Sequence, residues 1–202
     1  MKMGWLLGWA VPEAWFAPLV RENFPRDEHV FFPAGPEVVA RLHAAGPFDH
    51  VVGHSLGAHL LLAANARGNR IDRVSLLAPI FSFPVEENLG GRVARTQVRH
   101  LTRWLRRDPA AALADFYLRA GLDVPAATAP IDETENLLWG LERLECDRVA
   151  PSLPAGWRAW VGADDPMLNA ARLATIVPDI MIVPQATHHP IGLLRALAEA
   201  MR

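Results

Sequence analysis

The feature that most constrains the fold is a regular alternation of short apolar runs with segments of helical length. Six apolar runs, each four or five residues long, have the length and composition of buried strands. Most are followed by a helix-length segment, which is typical of βαβ units because parallel strands require a long crossover. The sequence therefore predicts an α/β protein with a six-stranded, mostly parallel sheet flanked by helices. The six runs are residues 3–7, 29–32, 48–52, 74–77, 157–161 and 180–183.

The alternation is interrupted once, after the fourth predicted strand. Residues 84–154 show helical pattern only, and we expect helices at 90–107, 109–120 and 134–146. This insertion predicts a helical cap on an otherwise regular α/β core. The expected division is residues 1–83 for the first part of the core, 84–154 for the cap and 155–202 for the second part of the core.

Length and composition limit the class of protein. A chain of 202 residues with 51% hydrophobic residues is expected to fold as one domain. A formal net charge of −2 gives no general attraction for nucleic acid or anionic membranes. The single Cys146 cannot form an internal disulfide. The apolar N-terminal run is too short for a secretory signal or a membrane span, so we expect a cytoplasmic protein.

A G-x-S-x-G motif occupies residues 53–57, between the third predicted strand and the next helix. In that context a serine sits on a sharp strand-to-helix turn with its hydroxyl projecting from the sheet edge, and the helix N-terminus offers free amides. The motif therefore indicates Ser55 as a nucleophile. The alternative is that the five-residue pattern arises by chance and Ser55 is a helix N-cap.

A serine nucleophile needs a base and an acid, and this chain supplies both after later strands. Asp164 and Asp165 follow the fifth predicted strand, and His188 and His189 follow the sixth. Carboxyl ends of parallel strands gather ligands at one edge of a sheet, so these side chains are expected near Ser55. The pattern alone leaves open which member of each pair acts. The remaining histidines are interpreted as structural or solvated: His29, His43, His50, His54, His59 and His100.

Over nearly its whole length the chain resembles the α/β-hydrolase superfamily. In that family the acid commonly stands in G-x-x-D-P and the histidine in A-x-H-x-P. The resemblance therefore implies Asp165 and His188, with Asp164 as a turn residue and His189 as the alternative base. The family commonly begins with two further strands, so the resemblance implies a trimmed version of the fold.

The resemblance also implies an oxyanion hole built from two backbone amides. One is the amide of Leu56, directly after the nucleophile. The other is the amide of Trp9, in the turn after the first strand, where Gly8 permits a tight bend. Many members carry a histidine where this chain has Leu7. We find no metal-ligand cluster and no phosphate-binding glycine loop, so no metal or organic cofactor is expected.

The predicted cap is rich in arginine. Residues 90–107 contain six arginines and no acidic residue, with most arginines on one helix face. One interpretation is a solvated face balanced by acidic residues elsewhere in the insertion. The other is a surface that attracts an anionic substrate or an acidic partner. The arginines are Arg92, Arg95, Arg99, Arg103, Arg106 and Arg107; the acidic residues are Glu133, Glu135, Glu142, Glu145 and Asp147.

A narrower resemblance connects the chain to the pimeloyl-acyl-carrier-protein methyl ester esterases of biotin synthesis. It rests on residues 6–9, 53–57 and 79–82 and on the basic cap. It implies hydrolysis of a methyl ester on an acyl carrier protein, an acidic partner that would contact Arg95, Arg99 and Arg103. Two alternatives remain open: a general small-ester or thioester hydrolase, and a non-catalytic binding module that kept the fold.

Overall fold

The computed structural model describes all 202 residues, which form eight strands and eight α-helices. All six predicted strands are present, with ends within two residues of the predicted ones. The strands are β1 (Lys2–Leu6), β2 (Glu28–Phe32), β3 (His50–His54), β4 (Val74–Leu77), β5 (Ser82–Pro84), β6 (Gly90–Val93), β7 (Arg158–Gly162) and β8 (Ile180–Val183). The helices are α1 (Glu13–Asn23), α2 (Val38–Ala45), α3 (Leu56–Ala66), α4 (Arg95–Arg107), α5 (Pro109–Ala120), α6 (Thr134–Cys146), α7 (Ala170–Ile176) and α8 (Pro190–Ala200).

Six strands form one fully parallel sheet in the order β2-β1-β3-β4-β7-β8. The chain runs outward from β1 to β2, then returns to β3 on the other side of β1. Because crossovers between parallel strands are right-handed as a rule, connections that run in opposite directions place helices on both faces of the sheet. The predicted six-stranded α/β architecture is confirmed. The direction of winding reverses between β1 and β3, and open α/β sheets bind ligands at such a point.

The expectation that the insertion is purely helical is wrong at its start. Gly90–Val93 is not helical but forms β6, which pairs with β5 in a separate two-stranded parallel sheet, and α4 begins only at Arg95. The two strands pack so closely that a Cβ on Gly91 would lie 1.8 Å from the carbonyl oxygen of Phe83. The helical spacing that predicted an earlier start is carried by later residues: Val98, Leu101 and Leu105.

Helices α4, α5 and α6 form the cap. α4 packs against both α5 and α6, and the cap contacts the loop that follows β1. Apolar side chains of the cap and the sheet belong to one continuous buried cluster, which includes Leu113, Leu141 and Trp9. The cap therefore shares the core of the sheet. No helix in the chain is both long enough and apolar enough to cross a membrane.

Candidate active site

Ser55 lies on a sharp turn between β3 and α3, which we call the elbow. Its φ of 54° and ψ of −116° fall outside the regions that non-glycine residues usually adopt. Two glycines permit the close backbone packing around the turn. A Cβ on Gly53 would lie 2.7 Å from Ala58 Cα, and one on Gly57 would lie 2.2 Å from the Leu6 carbonyl oxygen. The Ser55 side chain makes no N-cap hydrogen bond to α3. The strand-turn-helix context required by G-x-S-x-G is therefore present, and the N-cap alternative is not.

Ser55, His188 and Asp165 are joined by a continuous chain of hydrogen bonds. His188 Nε2 lies 3.0 Å from Ser55 Oγ, and His188 Nδ1 lies 2.8 Å from Asp165 Oδ2. All three residues are buried. Because an ionised carboxylate only accepts, Nδ1–H donates to Asp165 and the Nε2 lone pair accepts from the Ser55 hydroxyl. In this tautomer His188 is placed to take the proton of Ser55.

The carboxylate of Asp165 is held in its ionised form by its surroundings. Its Oδ1 accepts hydrogen bonds from the backbone N–H groups of Met167 at 2.8 Å and Leu168 at 2.9 Å. Burial alone would raise the pKa of Asp165. The charge interaction and hydrogen bond with His188, together with the two backbone donors, outweigh burial, so the pKa is lowered. An ionised Asp165 stabilises positive charge on His188.

The neighbours left open by the sequence lie outside this chain of hydrogen bonds. Asp164 is exposed, and its N–H donates to the Ala186 carbonyl at 2.9 Å in a turn. His189 Nε2 lies 2.9 Å from Asp123 Oδ1, and its Nδ1 accepts from the N–H of Ile191 at 3.2 Å. His189 therefore caps the start of α8 rather than contacting the hydroxyl at the elbow.

The two predicted oxyanion donors border the elbow. Leu56 is the first residue of α3, so its N–H has no partner within the helix. The N–H of Trp9 donates no hydrogen bond within the protein. The preceding Gly8 packs against the elbow, where a Cβ would lie 3.3 Å from Ser55 Cβ and 3.0 Å from His54 Nδ1. Both amides are thus free to donate to a bound oxygen.

His54 contacts the site in a way that the sequence pattern did not reveal. It is fully buried, and its Nε2 lies 3.2 Å from the carbonyl oxygen of His188. Because a carbonyl only accepts, Nε2 carries the proton, and the buried Nδ1 has no partner. Burial lowers the pKa of His54 to about 3, so the ring is neutral. The one signal in the sequence was its place beside Ser55 in the motif.

Two other histidines have structural roles, of which His50 is half-buried and His59 is buried. His50 Nε2 lies 2.9 Å from Ser75 Oγ, and burial lowers its pKa to about 4. His59 Nδ1 lies 3.0 Å from the carbonyl oxygen of Ile80, and burial lowers its pKa as well. Both rings therefore stay neutral near pH 7 and serve as hydrogen-bonding structural residues.

Solved structures with the same architecture identify the fold. An esterase from Exiguobacterium antarcticum superimposes with a TM-score of 0.73 at 10% identity, covering 100% of this chain and 90% of that one. An enol-lactonase from Burkholderia xenovorans gives 0.67 at 15% identity, covering 99% and 89%. An epoxide hydrolase from Bacillus megaterium gives 0.61 at 13% identity, covering 99% and 91%. This is the α/β-hydrolase fold.

No protein-family model and no curated sequence matches the chain. At 10 to 15% identity the three likenesses show the fold alone. Within the α/β-hydrolase fold, chemistry is carried by the site and not by the architecture. The chemistry of this chain is therefore determined by the residues around Ser55 and the distances between them.

Two cavities of this α/β-hydrolase fold share Trp9 as a wall. The larger, of about 420 Å³, also borders Met167, whose N–H holds Asp165. The smaller, of about 290 Å³, borders Gly8 and Leu56 at the predicted oxyanion donors. The larger cavity is thus a mostly apolar compartment next to the loop that carries Asp165, and it is suited to a hydrocarbon chain. Apolar residues lining the larger cavity include Phe83, Val98, Leu101, Trp104, Phe116, Leu141 and Leu144.

The cap of the α/β-hydrolase fold divides its arginines into two groups. The Arg95 side chain forms an ion pair with Glu87, and the backbone N–H of Arg95 donates to Glu86 Oε1 at 3.0 Å. Arg99 Nε donates to Glu145 Oε1 at 2.6 Å. These two arginines match the interpretation of a face balanced by acidic residues. Glu86 and Glu87 lie just ahead of the arginine-rich segment, outside the range of acids considered from the sequence.

The second group lies toward the C-terminal end of α4. Arg103, Arg106 and Arg107 are exposed, and none has a carboxylate within 4.0 Å. We call these three residues the basic patch. Arg92 belongs to neither group, because it lies on β6 and its Nη1 donates to the Asp165 carbonyl oxygen at 3.3 Å. Arg103 is thus the only one of the three predicted docking arginines that is free of acidic partners.

Proposed function

We propose that this protein is a serine hydrolase of carboxylic esters, with Ser55 as nucleophile, His188 as base and Asp165 as acid. The observation that carries the proposal is the hydrogen-bonded chain of 3.0 Å and 2.8 Å through the two nitrogens of His188. The three residues follow β3, β7 and β8, so parallel strand ends bring them together. A binding module would have no need of a buried nucleophile, base and acid in this order.

The reaction proceeds in two steps. Ser55 Oγ attacks the ester carbonyl carbon while His188 Nε2 takes its proton, and Asp165 stabilises the resulting imidazolium. The amides of Trp9 and Leu56 bind the oxyanion that forms on the carbonyl oxygen. His188 then donates its proton to the leaving alcohol, which departs and leaves an acyl-enzyme. In the second step His188 activates water, which attacks the acyl carbonyl and releases the carboxylic acid and Ser55.

The proposal is tested by comparing Ser55→Ala with a matched serine variant. Ser82 is also buried, and its Oγ has no partner, so Ser82→Ala removes the same atom away from the chain of hydrogen bonds. We expect Ser55→Ala to lower kcat on an activated short ester by about 10⁴-fold or more, because the three residues act as a unit. Ser82→Ala should keep wild-type activity. If a folded Ser55→Ala protein hydrolysed the ester at a rate comparable to that of the wild type, the assignment of Ser55 as nucleophile would be refuted.

For the substrate we propose the methyl ester of a pimeloyl chain carried by acyl carrier protein, as in biotin synthesis. Three features support it. The narrower sequence resemblance names this reaction. The cavity of about 420 Å³ offers apolar walls to a hydrocarbon chain beside the site. The basic patch offers unpaired positive charge to an acidic carrier.

Ion pairs within the chain bear on which arginines we assign to the proposed docking. Arg95 and Arg99 are already engaged with acidic residues of the same chain, so an acidic partner would have to compete for them. Arg103, Arg106 and Arg107 have no such competition. We therefore assign the proposed carrier contact to the basic patch, with Arg103 as the residue common to both sets.

A general small-ester or thioester hydrolase remains the second candidate. The pairing of Arg95 and Arg99 favours it, because two of the three predicted docking arginines are balanced by acidic residues of the same chain. The two candidates share the chemistry of Ser55 and differ in the role of the basic patch. Turnover of a carrier-bound ester compared with a small neutral ester distinguishes them.

A further inference from the structure

The loop that follows β1, residues 8–11, is tied to the cap by two buried hydrogen bonds. The indole Nε1–H of Trp9 donates to the carbonyl oxygen of Leu137 in α6 at 2.8 Å. The hydroxyl of Tyr117 in α5 donates to the carbonyl oxygen of Ala10 at 2.7 Å. Burial raises the pKa of Tyr117, so the hydroxyl keeps the proton that it donates. Two different cap helices thus hold adjacent residues of one loop.

The cap helices also pack closely against this loop. A Cβ on Gly140 of α6 would lie 2.5 Å from Trp9 Cδ1 and 3.3 Å from Leu56 Cδ2. Phe116 of α5 meets the Trp9 ring edge to face, with ring centroids 4.5 Å apart. The cap therefore contacts the side chains of both residues whose amides are assigned to the oxyanion hole. Gly140 permits this approach because it has no side chain.

The backbone of the loop gives a reason for such support. Ala10 has a φ of 55°, in the left-handed region that non-glycine residues rarely adopt. A conformation of this kind persists only when its surroundings hold it. The acceptor of the Tyr117 hydroxyl is the carbonyl of this same residue, directly after Trp9. The cap thus restrains the loop at its strained position.

We propose that Tyr117 and Gly140 are positioning residues of the oxyanion hole, and that the cap sets the rate of the chemical step through them. Tyr117 fixes the carbonyl of Ala10, and Gly140 lets Trp9 seat against α6, so that the Trp9 amide stays where the oxyanion forms. The inference rests on the proposed hydrolase function. It adds a positioning role to a cap whose helices also line the cavity of about 420 Å³.

The test adds one methyl group to the cap. Gly140→Ala must displace Trp9, while α6 itself is not weakened because alanine forms helix better than glycine. We expect kcat on an activated short ester to fall about 10- to 100-fold, because small misplacements of an oxyanion donor are costly. KM should change little, because the amides act mainly in the transition state. Tyr117→Phe removes a single oxygen and should lower kcat about 3- to 10-fold, the loss of one hydrogen bond.

The matched control is Glu135→Ala, on the exposed face of the same helix, which should keep wild-type kcat. Circular dichroism and thermal unfolding establish that each variant is folded. Wild-type kcat in a folded Gly140→Ala protein would overturn the inference and leave the hydrolase function standing. If Gly140→Ala does not fold, Tyr117→Phe decides: a lowered kcat at constant KM supports the inference and an unchanged kcat overturns it. A wild-type protein without esterase activity would refute both proposals.

Discussion

The loops at the strand ends and the surface of the cap position their polar side chains in different ways. Ser55, Asp165 and His188 each follow a parallel strand, and the sheet brings their loops to one edge although the residues are far apart in sequence. The cap has no such frame. Its arginines find partners individually, Arg95 with Glu87 and Arg99 with Glu145, and those partners come from separate segments of the chain.

The polar groups at the strand ends and those on the cap also differ in how much free energy their removal is expected to cost. Polar groups at the strand ends are buried and joined to each other, so removing one leaves its partners unsatisfied in the interior. Ion pairs on the cap are partly exposed, and exposed pairs contribute little to stability. We therefore expect large effects from changes at the strand ends and small, salt-dependent effects from changes on the cap surface.

The largest expected effect separates each strand-end residue from its neighbour. Asp165→Asn should lower kcat of ester hydrolysis by about 10⁴-fold, because an amide in place of the carboxylate fixes the wrong tautomer of the base. Asp164→Asn is the matched control and should stay near wild type, since Asp164 is exposed. His188→Ala and His189→Ala should differ in the same sense. Greater sensitivity at Asp164 or at His189 would shift the assigned register by one residue in the loop concerned.

The next effect in size concerns acid stability of the buried core. His54 is neutral in the folded protein with a pKa of about 3, whereas an unfolded histidine titrates near 6.5. Between these values the unfolded chain binds the proton that the folded chain refuses, so stability falls as pH falls. From pH 6.5 to 5 we expect His54 to account for about 2 kcal/mol of the free energy of unfolding. Asp165, whose pKa is lowered, loses its contribution as pH falls from the ordinary carboxyl pKa toward its lowered value in the folded protein.

Urea unfolding at several pH values measures this slope. His54→Asn should show a shallower loss of stability between pH 6.5 and 5 than the wild type. His43→Asn changes an exposed histidine and should keep the wild-type slope. A His54→Asn protein with the wild-type slope would show that His54 does not resist protonation in the fold.

The smallest expected effect lies on the cap surface. Replacing Arg103, Arg106 and Arg107 with glutamate should lower kcat/KM on a carrier-bound ester about tenfold at low salt. The reason is that exposed charges at the edge of an interface change mainly the rate of association. Turnover of a small neutral ester should not change. Added salt should reproduce the loss in the wild type, since exposed charges are screened beyond about 8 Å at physiological ionic strength.

A matched charge reversal sits at the opposite edge of the sheet. Arg26, Arg67 and Arg70 are exposed and lie before β2 and β4, at the amino-terminal ends of the strands. Their replacement changes net charge equally and should leave carrier-bound turnover intact. Equal losses in both triple variants, or none in either, would contradict docking at the basic patch and favour the general esterase.

What the sequence could predict follows the same division. Six strands and the residues after them were readable because buried strands leave compact apolar runs and parallel strand ends share an edge. Strand β6 was missed because Gly90 and Gly91 pair closely with β5, and glycine carries no hydrophobic pattern. Cap contacts such as that of Tyr117 with Ala10 span 107 residues and have no local signature. The arginine partners Glu86 and Glu87 were missed because ion pairing depends on how segments fold back.

The distance along the chain between Ser55 and His188 has a consequence for synthesis on the ribosome. The two residues are 133 positions apart, so at about 5–20 residues per second translation needs roughly 7 to 27 s to proceed from one to the other. During that interval the nascent chain carries the serine of the elbow without the imidazole that would activate it. Under the proposed function, hydrolytic activity requires that β8 and the loop after it have docked beside β7. A fluorogenic ester would therefore report completion of this last docking event in real time.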